Sequence, residues 1–369
     1  MMGLLVPLRA DELGISLPAI GLIVGAYSAA AAVLAVPLSG LISRFGTRGA
    51  FLLSTAGCAL LAATFTAAHG FWSLLMLYAA VGALSALGWV ASQTYVSSWG
   101  PVQDRARNTG RFSFVSNASQ TVTPLMVGAC AATLGYRATF LVVAAYCAVF
   151  AAVGSSLASQ RAQAGGDRVR LRAAGHLFLL PRLQLAMLLT FVRLWVPTIW
   201  RPFFPLLLVA GGASSELAGA VIASAAAVAT GVSLLTGRLS RFASPETVCT
   251  VALAVAVAGL VLSPHLLTVP AVFLPAAMVG IGNGLSLPLL IVLVGEAAPP
   301  GQRGLALATR NAVNSLSGTI APLGTAPLVA ALGATTGFGL AGAVAGGMLA
   351  LAALLQRGLG PERASRRST

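Results

Sequence analysis

Long apolar segments alternate with short polar connectors along the whole chain. A helix crosses the hydrocarbon core of a bilayer with about 20 predominantly apolar residues. The segment at 1–8 is apolar but too short to cross by itself. The pattern therefore predicts an all-α membrane protein with twelve spans, the first truncated at its N-terminus. Stretches of spanning length lie at residues 17–42, 50–69, 72–97, 112–134, 139–157, 183–210, 217–239, 247–267, 271–293, 306–332 and 336–355.

The pattern repeats after a little more than half of the chain. The eight residues from Leu38 to Phe45 recur from Leu235 to Phe242 with five identities. Matches that share one register indicate a duplicated unit, so we predict two pseudo-symmetric six-helix bundles. Further matches, all 198 residues apart, pair Pro7, Gly21, Arg105 and Pro124 with Pro205, Gly219, Arg303 and Pro322.

The repeat and the polar stretches divide the chain into four parts. In the repeat register Met1 aligns with Ile199, so the first repeat lacks about 15 residues of its first helix. Because half a span leaves backbone polar groups unsatisfied in lipid, we expect the natural chain to begin upstream of Met1 or this form to be impaired. The four parts are an N-terminal bundle at 1–158, a basic cytoplasmic linker at 159–182, a C-terminal bundle at 183–356 and a basic cytoplasmic tail at 357–369.

Composition and charge agree with a membrane protein. Hydrophobic residues make up 57% of the chain and charged residues 8%, which excludes an ordinary soluble domain. The net charge of +14 comes mainly from arginines in the connectors. We therefore expect the protein to lie in a lipid bilayer and not to bind nucleic acid. Eighteen arginines, Arg310 among them, fall on one side of the predicted membrane, and Arg9 and Arg137 fall on the other. This bias predicts a protein of the cytoplasmic (inner) membrane with both termini in the cytoplasm.

The connector after the second span carries a signature motif. The motif has the form G-x-x-x-D-R-x-G-R-R, and the chain matches it at Arg44, Gly46 and Arg48 but has Ser43 in place of the aspartate. With its two six-helix repeats and basic linker, the chain resembles the major facilitator superfamily of transporters over its whole length. The alternative for the motif arginines is a role as membrane-surface anchors only. The resemblance implies a cytoplasmic gate, for which we name Ser43, Arg44, Gly46, Arg48, Arg105, Arg241 and Arg303.

Two other patterns of that family are mostly missing. Tyr78 and Val81 stand where the fourth span of the family has arginine and glutamine. Of the fifth-span pattern G-P-x-x-G-G, Pro124 and Gly128 remain. These departures count against a proton-driven drug exporter, which stays an alternative.

The seventh predicted span holds the sharpest candidates for a binding site. Arg193 and Arg201 flank Pro197, and each lies about 6 Å from the midplane if the span is centred there. A charged side chain at this depth costs at least about 2.5 kcal/mol unless it faces a cavity or a partner. Trp200 follows Arg193 by seven residues and is predicted on the same side. The alternative is that both arginines snorkel to opposite interfaces.

Polar stripes on the fifth and eleventh spans supply further candidates. Asn117 and Gln120 lie on one stripe, and Asn311, Asn314 and Ser315 lie on the other. Such stripes face protein or water rather than lipid, and the alternative role is hydrogen bonding between packed helices. On other spans we name Trp89, Gln93 and Tyr27, for which the alternative is packing.

These residues predict a transporter. Because carboxylates are almost missing from the spans, the cavity is positively charged, which favours an anionic or neutral solute. We expect a monomeric secondary transporter working by alternating access, with a small-molecule substrate and the proton as the first candidate coupling ion. No arrangement of catalytic or metal-binding residues falls within a span. We therefore expect that the protein is not an enzyme and uses no cofactor or metal. A membrane sensor or scaffold without transport is the alternative from another class.

Overall fold

The computed structural model describes residues 2–98, 102–156, 180–299 and 303–358. Within these ranges it leaves some side chains undescribed. Throughout the described part the secondary structure is helix and turn, which confirms the predicted all-α membrane fold. The undescribed side chains are those of residues 35–41, 43, 97, 98, 102–111, 113, 114, 117, 241, 303–305, 307 and 308.

Ten α-helices follow one another along the described chain, with two short 3₁₀ turns between them. The 3₁₀ turns are Phe65–Ala67 and Ser263–His265. The α-helices are α1 (Met2–Glu12), α2 (Leu17–Thr64), α3 (Phe71–Ser98), α4 (Val102–Ser155), α5 (Pro181–Ala210), α6 (Ser215–Ser233), α7 (Thr236–Phe242), α8 (Pro245–Leu262), α9 (Phe273–Ala297) and α10 (Arg303–Gly358).

Three of these helices contain a sharp bend at a single glycine. The bends lie at Gly46 in α2, Gly135 in α4 and Gly333 in α10, where φ is 72°, 76° and 83°. A residue with a Cβ is strained at such angles, whereas glycine adopts them readily. Gly135 and Gly333 are 198 residues apart, in the register of the sequence repeat. Each bend therefore lets one continuous helical stretch reverse between two predicted spans.

The lengths of the apolar helical segments bear on the number of membrane spans. Nine segments in the described part are long and apolar enough to cross a membrane. Two of them, Ala118–Ser155 and Thr309–Gly358, contain a glycine bend and have 38 and 50 residues, well above the length that one crossing needs. The total of twelve spans remains a prediction.

Local chemistry fixes where two of the C-terminal helices begin. The side chain of Ser214 accepts a hydrogen bond from the Leu217 backbone N–H at 3.1 Å, and Ser244 accepts one from Thr247 at 3.2 Å. Such caps satisfy backbone donors that the first helical turn leaves open. Each helix also has a glutamate in its first turn, which complements the positive end of the helix dipole.

Small residues let the C-terminal helices approach closely. A methyl group on Gly280 or Gly284 of α9 would collide with the carbonyl oxygens of Ala225 and Ala229 on α6. Gly282 faces α8 in the same way, at Ala252, where a methyl group would lie 2.9 Å from the carbonyl oxygen. Close backbone approach of this kind supplies the van der Waals contact that holds helices together in lipid.

Two glycine seams join the halves at the predicted outer end. A methyl group on Gly21 of α2 would lie 2.7 Å from the Pro322 carbonyl oxygen of α10, and one on Gly219 of α6 would collide with the Pro124 carbonyl oxygen of α4. The two glycines are 198 residues apart, as are the two prolines. Tyr136 and Ser215 add a hydroxyl–hydroxyl hydrogen bond of 3.1 Å beside the second seam. The halves thus meet through two symmetry-related contacts.

Adding one methyl group to a seam should destabilise the protein. We expect Gly21→Ala and Gly219→Ala each to lower the free energy of unfolding by about 1–3 kcal/mol, because backbone oxygens cannot yield to the new methyl group. The measurement is Tm of the purified protein in detergent. Gly339→Ala and Gly346→Ala in α10 are matched controls, since nothing lies within 4 Å of either added Cβ. Equal Tm values for seam and control variants would contradict the close contact.

Candidate substrate-binding site

Two adjoining chambers lie between the halves. One has a volume of about 350 Å³ and the other about 310 Å³, and Gln120, Arg201 and Ala226 line both. The larger chamber is lined further by Arg193, Ala229, Thr230, Ser233, Asn283, Gly284, Leu287, Pro288 and Ile291. The smaller is lined further by Gly3, Leu4, Ser119, Thr123, Pro124, Tyr146 and Ile222.

Helix α5 places both candidate arginines at this cavity. Arg193 and Arg201 are eight residues apart, which corresponds to about 12 Å along the helix axis. Arg201 is exposed, and because it lines both chambers this exposure is to the cavity. Arg193 is half-buried and lines the larger chamber. A solute in the larger chamber can therefore reach two guanidinium groups.

The lining is positively charged. Neither chamber has an aspartate or a glutamate among its described lining residues. The Arg193 charge is repelled by the charges of Arg201 and Arg310. By contrast, Arg9 in α1 is paired with Glu12 one turn away. The arginines of the cavity thus lack the local carboxylate that neutralises a buried arginine elsewhere in the described chain.

Arg310 is one residue near the cavity that the sequence did not identify as a candidate. The charge bias predicts it among the cytoplasmic arginines, and the structure adds that only 6% of the side chain is exposed. Its Nε and Nη2 are buried without a hydrogen-bond partner among the described residues. Arg310, Asn314 and Ser317 follow at i, i+4 and i+7 on one face of α10, and Ser317 donates to the Phe191 carbonyl of α5 at 2.8 Å. The i, i+4, i+7 spacing of these polar residues is the sequence signal that could have identified Arg310.

The structure places the polar residues of the stripe on the predicted eleventh span in different environments. Asn311 is exposed, whereas Asn314 and Ser315 are half-buried. The Asn314 Oδ1 atom is itself buried and has no hydrogen-bond partner in the described part. Of the stripe on the fifth span, Gln120 lines both chambers, and the Asn117 side chain lies outside the described residues.

The aromatic candidates are placed in different surroundings. Trp200 is 1% exposed, donates from Nε1 to Ser263 Oγ at 2.8 Å and stacks on Phe204. The structure therefore buries Trp200 in the C-terminal half and does not bring it to the cavity. Tyr27 packs against Tyr78 with ring centroids 5.0 Å apart.

Two candidates on α3 remain accessible. Trp89 is 50% exposed and lies 5.7 Å from the Phe112 ring, centroid to centroid. Gln93, one turn further, is exposed. Neither is among the residues that line the two chambers.

The gate residues can be described in part. Arg48 donates to the carbonyl of Ser155 at the end of α4, so it bonds a helix C-terminus. The Arg44 guanidinium lies 5.4 Å from the centre of the Phe45 ring. Gly46 supplies the bend in α2. The side chains of Ser43, Arg105, Arg241 and Arg303 lie outside the described residues.

Three polar residues of the larger chamber were also missed. Thr230 and Ser233 lie near the end of α6, and Asn283 interrupts the glycine-rich run of α9. An amide within an otherwise apolar span is the signal that could have found Asn283. These groups supply neutral hydrogen-bond donors and acceptors opposite the arginines.

Within the described ranges, no group of three or more histidine, cysteine, aspartate or glutamate residues could hold a metal ion. The four cysteines are free thiols. The chemistry available at the cavity is therefore ionic and hydrogen-bonding recognition by Arg193, Arg201, Gln120 and Asn283.

A helical bundle of two joined halves around a central polar cavity defines a class of polytopic membrane protein. The family model of the Major Facilitator Superfamily matches residues 1–322, and the chain belongs to that superfamily. It is thus a multi-pass membrane protein with the fold of a transporter family. No curated protein matches the sequence.

Solved structures of the same fold cover nearly the whole chain. A point mutant of the nucleoside transporter NupG is 13% identical with a TM-score of 0.79, covering 96% of this chain and 94% of its own. A bacterial homologue of the human lysosomal transporter Spinster, inward-facing and occupied, is 16% identical with a TM-score of 0.74, covering 96% and 91%. At these identities the likeness shows the fold alone.

The placement of Trp200 generates a prediction that separates packing from recognition. Trp200→Phe removes the indole N–H and part of the buried ring, so we expect a loss of about 1–3 kcal/mol in the free energy of unfolding. Affinity for a transported solute should change less than about twofold, because the ring does not line the cavity. Tm and ligand titration of one preparation check both parts. Weakened binding without a fall in Tm would return Trp200 to the site.

Proposed function

We propose that the protein is a secondary transporter that moves a small organic anion across the cytoplasmic membrane by alternating access. The observation that carries the proposal is the pair Arg193 and Arg201, which lines a cavity without a carboxylate among its described lining residues. Guanidinium groups bind carboxylates and phosphates through paired, charge-assisted hydrogen bonds. Leaving two such charges unpaired at membrane depth is costly, so the cavity favours a solute that neutralises them.

The dimensions of the cavity support a solute of metabolite size. Ligand pockets have volumes of about 300–1,000 Å³, and the two chambers lie at the lower end of this range. The neutral groups of Gln120, Thr230, Ser233 and Asn283 can orient the uncharged part of the solute. A neutral solute held by these groups alone is the second candidate, and nucleosides, the class for which the similar transporter NupG is named, provide test compounds.

The seams support a mechanism in which the halves rock. Gly21 and Gly219 pack the halves together at the predicted outer end, while the larger chamber extends to Ser233 and Ile291 near the predicted cytoplasmic end. We infer that the structure corresponds to a state closed to the outside. Opening of both seams, with closure at the other end, would expose the arginines to the outside.

Further features belong to the same proposal. We propose cytoplasmic termini, a monomer as the working unit and the proton as the coupling ion where one is used. A cytoplasmic gate would be formed around Arg48, whose bond to Ser155 ties α2 to the end of α4. A drug or metabolite exporter of the same superfamily is the alternative direction of transport.

A substrate screen followed by a flux measurement tests the proposal. Purified protein is screened by thermal shift against mono- and dicarboxylates, phosphorylated metabolites, nucleosides and organic cations. We expect anions to raise Tm, and the best of them to be taken up by proteoliposomes. Stabilisation by organic cations alone would overturn the anion assignment. Saturable binding without flux in either direction would favour a sensor.

Arg201→Gln should weaken transport of the selected anion. Loss of a charge-assisted hydrogen bond costs about 1.5–3 kcal/mol, so kcat/KM for flux should fall about 10- to 100-fold. Arg238→Gln removes an exposed charge at the predicted cytoplasmic end and is the matched control. Initial rates of uptake into proteoliposomes give the comparison. Equal rates for Arg201→Gln and the control would remove Arg201 from the site.

A further inference from the structure

Arg193 and Arg310 form a cluster of positive charge whose buried N–H groups find no acceptor among the described residues. Arg310 of α10 is 6% exposed, and its Nε and Nη2 atoms have no hydrogen-bond partner among the described residues. Arg193 of α5 has a buried Nε in the same condition. The two positive charges lie within electrostatic range of each other. Arg310 is not one of the residues lining either chamber, whereas Arg193 lines the larger one.

The described groups around this cluster leave its buried N–H groups without an acceptor. Cys249 of α8 is fully buried and lies within electrostatic range of both arginines, but a neutral thiol is only a weak acceptor. Glu246 lies one turn before Cys249 and interacts with it, yet no hydrogen bond from a described residue reaches Nε or Nη2 of Arg310. Asn314, one turn after Arg310, has a buried Oδ1 without a hydrogen-bond partner in the described part, and its amide nitrogen can donate. No described residue therefore supplies a negative charge bonded to these buried donors.

Helix packing holds the cluster in place. Ser317 of α10 donates to the Phe191 carbonyl of α5 at 2.8 Å, two turns beyond Arg310. The Trp195 indole of α5 donates to the Ala341 carbonyl of α10 at 3.0 Å. These bonds fix α5 against both arms of α10. The relative positions of the helices that carry Arg193 and Arg310 are thus fixed by bonds of other residues.

We propose that Arg193 and Arg310 form a second anion-binding site, which takes a small inorganic anion in the size range from chloride to phosphate. The burial of Arg310 excludes a bulky ligand, and guanidinium N–H groups without acceptors require a negative one. The site lies between α5, α8 and α10 inside the C-terminal half. This second site differs from the substrate cavity in its arginines: it is formed by Arg193 and Arg310, whereas Arg193 and Arg201 line the cavity.

The shared arginine links the two sites. Arg193 lines the larger chamber and also lies within electrostatic range of Arg310. An inorganic anion bound at the second site neutralises Arg193 and weakens its attraction for an organic anion in the chamber. The small anion and the solute therefore compete for one guanidinium group. This last step rests on the proposed function, whereas the second site itself does not.

The site is tested by anion-dependent stability of the purified full chain. Tm is measured in a Tris–HEPES buffer while sodium chloride, sodium nitrate or sodium phosphate is added. We expect a saturable rise in the wild type, in Arg238→Gln and in Arg201→Gln. In Arg310→Gln the saturable part should vanish, or its midpoint should move to at least about tenfold higher anion concentration. If Arg310→Gln is not monodisperse, Arg193→Gln must show the same loss.

The outcomes separate this proposal from the transport proposal. The same anion response in all variants, or none in the wild type, would overturn the second site. A response to organic anions alone that depends on Arg310 would also overturn it, since Arg310 would then belong to the substrate cavity. A chloride or phosphate response that needs Arg310 but not Arg201 supports it, whether or not any organic anion is transported. Higher chloride should also raise the apparent Kd for the organic anion in the wild type and in Arg238→Gln but not in Arg310→Gln, and no such effect in the wild type would disprove the competition.

Discussion

Positive charge that the surrounding lipid cannot solvate is the constraint on which the centre of this protein depends. An arginine at membrane depth must find water, an acceptor or a counter-charge, since the alternative costs several kcal/mol. Even Arg9 and Arg48, which lie outside the predicted spans, are paired, Arg9 with Glu12 and Arg48 with a helix-end carbonyl. Arg193 and Arg310 keep buried donors that no described residue satisfies. An anion bound at the sites proposed above would supply the missing acceptors and the counter-charge.

The glycine seams explain how such a cavity can exist inside a bundle. Helices in lipid are held by close van der Waals contact rather than by a hydrophobic force between them. At the predicted outer end this contact is concentrated at Gly21 and Gly219, each against the carbonyl oxygen of a proline. The backbones approach so closely there that the halves can be joined at one end while space remains between them elsewhere. The close packing at the glycine seams and the cavity at the arginines therefore both follow from the way the two halves are joined.

The fold could be predicted from the sequence because it depends on features that are linear along the chain. Apolar length and the repeat register predict a helical membrane protein, and the structure and the family comparison confirm it. Placement of side chains depends on where each helix faces, which spacing alone does not give. Trp200 shares the side of Arg193 on a helical wheel, yet its indole is buried against Ser263. On α10 the face towards α5 begins at Arg310, one residue before the predicted stripe.

Duplication of the backbone has not been accompanied by duplication of the charges. The counterpart of Arg201 in the repeat register is Gly3, and both line the smaller chamber. The counterpart of Arg310 is Phe112, which packs against Trp89. In the proposed mechanism the symmetric seams would let the halves move against each other, whereas the described arginines that line the chambers both belong to the C-terminal half. An anion held by these arginines would therefore move with that half, and the N-terminal half would supply mainly neutral groups such as Gln120.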